Sequence, residues 1–148
     1  APETVAELSK IKNIVGIKEA SGNFDQIYKI ISLVDKDFVV LSGDDALTLP
    51  IIAVGGKGVI SVAANIVPKE MSTMVKYALN GQIEKAREIH YKLYPIFKVL
   101  FIETNPIPVK TSLSLMGMIK QEWRLPLTPP SDENFQKIKE TLKKYGVI

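Results

Sequence analysis

The sequence predicts an α/β protein that forms part of a (β/α)₈ barrel, and three observations support this prediction. Apolar and amphipathic segments alternate in the order helix, strand, helix, strand, helix, strand along the first part of the chain. The connections between them are short, which is typical of parallel strands joined by right-handed crossovers. Each predicted strand also ends in polar or small residues, and the chemistry of a (β/α)₈ barrel is located at those carboxyl ends.

Composition excludes several classes of function. The chain has 148 residues, of which 46% are hydrophobic and 24% charged, as in an ordinary globular protein with one core. The net charge is +3, but the lysines are interleaved with acids, as in 137–140. Because nucleic-acid binding requires a one-sided basic patch, we expect no nucleic-acid partner. Because the chain has no cysteine and one histidine, disulfides are excluded and a soft-metal site is not expected. The absence of cysteine fits a cytoplasmic protein. No apolar run reaches membrane-spanning length, so we expect no membrane partner.

The first strand and its flanking helices come from the opening of the chain. A short helix is predicted over Glu3–Lys10, with proline and acids in its first turn. An apolar, β-branched run then predicts a strand that is buried on both faces and ends at Lys18. Asn23 is predicted to cap the next helix, whose apolar residues recur at helical spacing. Since the chain opens with Ala1 directly on a helix, we expect it to be a piece of something larger.

Two further strands are predicted. Phe38–Leu41 is a second buried strand, followed by an apolar helix around 47–52 in which Pro50 is tolerated in the first turn. Gly55–Gly58 is predicted to close that helix, and Val59–Val62 forms the third strand. The glycines are not expected to bind phosphate, because a phosphate loop follows a strand and opens a helix, whereas this segment does the reverse.

Only helices are predicted after the third strand. One starts at Pro68, and another runs from about Gln82 to Leu100 with a bend at Pro95. Asn105-Pro106, a cap residue followed by proline, is predicted to start a third. Ser131 is predicted to cap the last helix, with Phe135, Ile138 and Leu142 facing inward.

Lys18 is the first candidate for chemistry, because it ends a predicted buried strand. Alternation along the strand places Ile14, Gly16 and Lys18 on one face, where Gly16 is expected to leave room beside the lysine. A desolvated lysine has a lowered pKa and can attack a carbonyl to form a Schiff base. A lysine that reaches into solvent or pairs with a carboxylate is the alternative, and the strand alone leaves both open.

The other candidates have simpler structural explanations. His90 has no second ligand at metal spacing, so it is predicted to be a surface or packing histidine. Asp44-Asp45 could bind a metal or act as acid and base, but a helix cap and a backbone contact are the preferred roles. Glu103–Pro106 could support the site, although a structural cap explains it equally.

Five blocks of sequence, in order over essentially the whole chain, resemble one known family: Gly16–Asn23, Leu41–Asp45, Gly55–Asn65, Asn105–Lys110 and Leu125–Pro129. Together they resemble dihydrodipicolinate synthase, and specifically its C-terminal half. The resemblance implies the last three barrel strands followed by helices, divided here into a partial barrel over 1–80 and a helical region over 81–148. The sister families, N-acetylneuraminate lyase and 2-keto-3-deoxy sugar-acid aldolases, share the lysine and the fold.

The resemblance implies a class I, metal-independent and cofactor-free reaction of lysine (diaminopimelate) biosynthesis. The amine of Lys18 would condense with pyruvate, and the resulting enamine would add to aspartate semialdehyde. Ile60 matches a position whose backbone contacts pyruvate, and Gly43 matches one whose backbone lines the second-substrate side.

Several catalytic groups of the family lie upstream of this chain's first residue. They are its Thr-Thr pair, its proton-relay tyrosines and the arginine that holds the substrate carboxylate. We therefore expect negligible turnover by the isolated chain. We also expect a partner, either a complementary N-terminal half or another copy in a homo-oligomer, because half a barrel exposes sheet edges. The alternative function is a half-barrel assembly module without chemistry of its own.

Overall fold

The computed structural model describes residues 1–148 and divides them into two compact units. The first unit comprises residues 1–61 and 73–88, and the second comprises 62–72 and 89–148. The elements follow the predicted order: α1 Pro2–Leu8, β1 Gly16–Glu19, α2 Phe24–Leu33, β2 Val39–Ser42, α3 Thr48–Ala53, β3 Gly58–Val59, a 3₁₀ turn Ala63–Asn65, α4 Pro68–Leu79, α5 Ile83–Val99, α6 Ile107–Leu115 and α7 Asp132–Lys144. The predicted alternation of helices and strands is therefore confirmed, and α5 continues through Pro95.

The sheet of the first unit has three parallel strands in the order β1-β2-β3. Lys18 pairs with Leu41, and Ser42 pairs with Val59, so the strands end at nearly the same level. Gly16 allows the close approach of β1 and β2, because a Cβ there would lie 2.4 Å from the carbonyl oxygen of Val39. The prediction that Gly16 leaves room beside Lys18 is wrong, since the backbone of the neighbouring strand occupies that volume.

One face of the sheet carries the core of the first unit. Three side chains are buried together: Ile30 of α2, Phe38 just before β2, and Val40 of β2. Partly buried side chains pack around them: Val5, Ile14, Ile17, Ile31 and Val34. Val15, by contrast, is 70% exposed. The segment leading into β1 was predicted to be buried on both faces, and this is wrong for the chain by itself because β1 forms an edge of the sheet and pairs with β2 alone.

The third strand is shorter than predicted. It comprises Gly58–Val59 rather than Val59–Val62, because Val62 already has helical dihedral angles and precedes the 3₁₀ turn. The preceding glycine segment closes α3 as predicted: the N–H of Gly56 donates to the carbonyl of Ile51 at 2.8 Å, and Gly55 has a φ of 117°. Position 55 therefore has a left-handed backbone conformation, which glycine adopts more readily than other residues.

Of the caps predicted at Asn23, Asn105 and Ser131, two are confirmed. Asn23 accepts a hydrogen bond from the N–H of Gln26 at 3.2 Å, and Ser131 accepts one from the N–H of Asn134 at 3.3 Å. Asn105 was expected to start α6, but it makes no cap. The N–H of Ile107 closes a turn onto the carbonyl of Thr104, so the helix begins only after this turn.

The second unit is helical. α6 packs against α7, which buries Ile138 and Leu142 as predicted, whereas Phe135 is only partly buried. No helix of the structure combines the length and the hydrophobicity needed to cross a membrane.

Candidate active site

Lys18 lies on β1, one residue before the strand ends. Its side chain is exposed and makes no ion pair, whereas neighbouring Glu19 on the opposite face is buried. The expectation that Lys18 is desolvated is therefore not met in the chain by itself. The alternative in which it pairs with a carboxylate is also wrong, which leaves an amine open to solvent at the carboxyl end of the sheet.

Gly43 and Ile60 come directly after β2 and β3, and backbone hydrogen bonds hold them at the same end as Lys18. The N–H of Gly43 donates to the carbonyl of Glu19 at 2.6 Å, and the N–H of Ile60 donates to the carbonyl of Ser42 at 2.8 Å. Each therefore extends the parallel ladder by one bond beyond its strand. The three residues predicted for the site thus occupy successive strand ends, with Gly43 beside Lys18 and Ile60 beside Ser42.

The loop after β2 is held by a compact set of short-range hydrogen bonds. The hydroxyl of Ser42 donates to the carbonyl of Asp44 at 2.7 Å and accepts from its N–H at 3.1 Å. The hydroxyl of Thr48 donates to the same carbonyl at 3.2 Å, and the Asp44 carboxylate accepts from the N–H of Ala46 at 2.8 Å. Ser42, Thr48 and neighbouring Asp45 are fully buried. The predicted cap of α3 by Asp44 is therefore wrong, because the helix begins after Leu47 without a side-chain cap. The Asp44 carboxylate instead holds neighbouring backbone, which is the other predicted role, and the loop that carries Gly43 is tightly restrained.

The carboxylate of Glu19 restrains the loop after β1, and sequence reasoning did not single it out. It is 5% exposed and accepts hydrogen bonds from the side-chain amide of Gln26 at 3.0 Å and from the N–H of Ser21. This arrangement ties the end of β1 to the first turn of α2. A signal for it was present, because strict alternation from Lys18 places an acid on the face that packs against the helix.

The remaining polar candidates are structural. His90 packs against the rings of Tyr91, Tyr94 and Phe97, and burial lowers its pKa. This confirms the prediction of a packing histidine. No group of three or more His, Cys, Asp or Glu side chains is placed to hold a metal ion.

Glu103 connects two segments of the second unit. Its Oε1 accepts hydrogen bonds from the N–H of Ser131 at 3.0 Å and from the side-chain amide of Asn134 at 2.7 Å. These bonds, with the Asn134 side chain contributing most, hold the pKa of this carboxyl below its usual value. Glu103 thus belongs to the cap of α7, which is the structural one of its two predicted roles.

Three parallel strands in chain order, with candidate residues at each carboxyl end, define the chain as part of a (β/α)₈ barrel. Comparison with known proteins then gives the family. The model of the dihydrodipicolinate synthetase family matches residues 1–145, and the chain belongs to that family. The predicted resemblance and the predicted partial barrel are both confirmed.

Individual relatives agree with this assignment. The 4-hydroxy-tetrahydrodipicolinate synthase of Methanosarcina barkeri is 56% identical over 147 residues, which are 99% of this chain and 50% of that protein. The crystal structure of dihydrodipicolinate synthase from Aquifex aeolicus superposes with a TM-score of 0.97 at 51% identity, over 99% of this chain and 50% of the other. A second similar structure is the chloride-inhibited dihydrodipicolinate synthase from Acinetobacter baumannii complexed with pyruvate, with a TM-score of 0.96 at 37% identity, over 100% of this chain and 51% of the other. The chain spans about half the length of the relatives that it matches.

Proposed function

We propose that this chain supplies the Schiff-base lysine for a condensation of pyruvate with aspartate semialdehyde in lysine biosynthesis. The amine of Lys18 attacks the ketone carbon of pyruvate, and loss of water gives an imine. Loss of a methyl proton converts the imine to an enamine, whose carbon adds to the aldehyde. A cytoplasmic location, the absence of a cofactor and the division at 80/81 into partial barrel and helical region belong to the same proposal.

The single observation that carries the proposal is the placement of Lys18. It stands at the carboxyl end of a parallel strand, where barrel chemistry is located, and no carboxylate neutralises or sequesters it. The relatives of this chain that are named 4-hydroxy-tetrahydrodipicolinate synthase align with 99% of it, which includes Lys18. One similar structure is described as complexed with pyruvate, which supports pyruvate as the first substrate.

Gly43 and Ile60 are proposed to line the substrate site. Ile60 is 48% exposed, and its N–H is already engaged by Ser42, so its carbonyl is the backbone group that we assign to pyruvate. The backbone of Gly43 is assigned to the aldehyde side. Both assignments use backbone groups that the ladder hydrogen bonds hold in fixed positions.

The proposal includes a partner, because the sheet ends abruptly at β1. The outer edge of that strand has no neighbour, and Val15 beside it is largely exposed. Unpaired strand edges and exposed apolar side chains favour association with another chain. We assign this role to a complementary N-terminal half, which would also desolvate Lys18; self-association into a homo-oligomer is the second possibility.

The chemical test is trapping of the imine. Incubation of the 148-residue chain with pyruvate and borohydride, followed by peptide mass spectrometry, is expected to place a reduced pyruvyl group on Lys18 in preference to other lysines. Synthase turnover by the chain alone is expected to be negligible, because positioning and acid-base groups each contribute orders of magnitude. Addition of the upstream half of a relative is expected to restore turnover.

Two variants serve as matched comparison. Lys18→Ala is expected to abolish both the labelling and the restored turnover, whereas Lys12→Ala, a change at an exposed lysine near β1, is expected to alter neither. Labelling spread evenly over Lys10, Lys12 and Lys36 would contradict the proposal, and so would turnover that survives Lys18→Ala.

A non-catalytic assembly module is the second candidate function, and the exposure of Lys18 favours it. Under this alternative the chain associates through the β1 edge but performs no chemistry. Sedimentation at micromolar concentration would detect association under either function, so imine trapping is the measurement that separates the two.

A further inference from the structure

Gly43 is the residue that makes room for Lys18. A Cβ placed on Gly43 would lie 2.9 Å from Cε of Lys18, closer than real Cβ atoms approach other carbon atoms. It would also lie 2.5 Å from Cβ of Ala20 and 3.1 Å from the carbonyl oxygen of Glu19. The lysine stem therefore runs through the volume that a side chain at position 43 would fill.

The need for glycine here is steric and not conformational. Six other glycines of the chain have positive φ, and Gly43 is not among them. Its N–H is bonded to the carbonyl of Glu19 at 2.6 Å, and the buried hydroxyl of Ser42 anchors the loop that follows. Because these bonds hold the backbone of Gly43 in place, the flexible lysine would move if a side chain were added.

We propose that Gly43 is a positioning residue for Lys18: because it has no side chain, the lysine stem can lie directly beside it at the carboxyl end of the sheet. This role is separate from any contact that the backbone of Gly43 makes with substrate, and it rests on the proposed function only in taking Lys18 as the imine-forming residue. A methyl group at position 43 would push Cε away by about half an ångström to one ångström, to reach ordinary van der Waals contact. Displacements near 1 Å in a reacting group can cost about 100-fold in rate.

The close contact with Ala20 must be separated from the contact with Lys18. Gly43→Ala alone strains both, and the strain against Ala20 could disturb the loop as a whole. The double variant Ala20→Gly/Gly43→Ala removes the 2.5 Å contact and leaves the 2.9 Å contact with Lys18, together with the milder 3.1 Å approach to the Glu19 carbonyl oxygen. Ala20→Gly alone is the matched control, because it changes the loop without adding a side chain beside the lysine.

The experiment has two readouts on the full 148-residue chain. The first is NMR of lysine labelled with ¹³C at Cε, which reports the surroundings of the displaced atom without any pyruvate. The second is the rate of pyruvate-borohydride trapping at Lys18 as a function of pyruvate concentration, which requires no aldehyde and therefore does not involve the second-substrate side. Circular dichroism and its thermal transition establish that each variant is folded.

Relative to Ala20→Gly, the double variant is expected to shift the Lys18 Cε signal and to lower the maximal trapping rate at least tenfold. The half-saturating pyruvate concentration should change little, since no pyruvate contact is removed. An unshifted Cε signal together with a trapping rate like that of the control would overturn the inference and leave the proposed function intact. If Lys18 of the unmodified chain is not trapped at all, the proposed function fails, and the Cε comparison still decides whether Gly43 positions the lysine.

Discussion

Replacement of Glu103 tests whether its carboxylate stabilises the start of α7. Its Oε1 accepts all three hydrogen bonds: from the N–H and hydroxyl of Ser131 and from the side-chain amide of Asn134. Glu103→Ala removes all of them. Hydrogen bonds to charged groups contribute about 1.5–3 kcal/mol each when protected from water. Because this cap is only half-buried, we expect a loss of about 1–2 kcal/mol for the set.

Glu103→Gln separates charge from geometry. A glutamine can place its carbonyl oxygen where Oε1 now accepts, so all three bonds can persist without the negative charge. Charge-assisted bonds are roughly twice as strong as neutral ones, and a negative charge also stabilises a helix N-terminus. We therefore expect this variant to lose about half of the alanine effect, roughly 0.5–1 kcal/mol.

The effect of Glu103→Gln should depend on pH. Hydrogen bonds hold the pKa of Glu103 in the folded chain below its usual value. The stabilisation by the carboxylate is therefore complete above the unfolded-state pKa and is lost as pH falls through the folded-state pKa. The glutamine variant should be less stable than the original chain at pH 7, and the difference should shrink toward zero below about pH 4.

Urea unfolding followed by Trp123 fluorescence measures these differences. Trp123 is the only tryptophan of the chain and lies in the same compact unit as Glu103. Glu140→Gln, an exposed change on α7 without a hydrogen bond or ion pair to lose, is the control and should leave the midpoint within error. Equal stabilities of Glu103→Gln and the original chain at pH 7, or a difference that persists unchanged at low pH, would refute the reasoning.

Two further predictions concern the sheet and the histidine. Gly16→Ala would place a methyl group 2.4 Å from the Val39 carbonyl and should destabilise the chain by about 1–3 kcal/mol in urea unfolding followed by circular dichroism. Val15→Ala, at the exposed neighbouring position, should cost less than about 0.5 kcal/mol, and equal losses would disprove the close-packing argument. Burial lowers the pKa of His90, the only histidine, so its NMR titration should give a value below about 6.5. Since the unfolded chain then binds more protons, stability should fall as pH drops through that range, and His90→Phe should reduce this dependence; a titration at or above 6.5 would contradict it.

The parts of the fold that sequence predicted well are those that depend on near neighbours. The caps by Asn23 and Ser131 each involve an N–H three residues onward, and the glycine closure of α3 involves residues five positions apart. The alternation of strands and helices follows from the spacing of apolar residues. Such features are encoded within a single turn or strand, so the chain sequence is sufficient to place them.

The errors lie where a distant segment decides the outcome. Gly16 was expected to leave room beside Lys18, but β2 fills its volume, and Gly43 provides the room instead. The register of β1 against β2 determines both results, and it is set between residues more than twenty positions apart. Two smaller errors are exceptions, because nearby turns cause them: the 3₁₀ turn that follows β3 shortens this strand, and the turn from Thr104 to Ile107 replaces a cap at Asn105.

The sequence by itself thus determined the order of the elements, the ends of several helices, the family and the lysine to which the proposed function is assigned. Only the tertiary structure showed that Lys18 is exposed, that Gly43 adjoins it and that Glu103 reaches Ser131 across 28 residues. The physical reason is that periodicity and capping act through local backbone geometry. The space beside a side chain and its access to water depend instead on which remote segments pack against it.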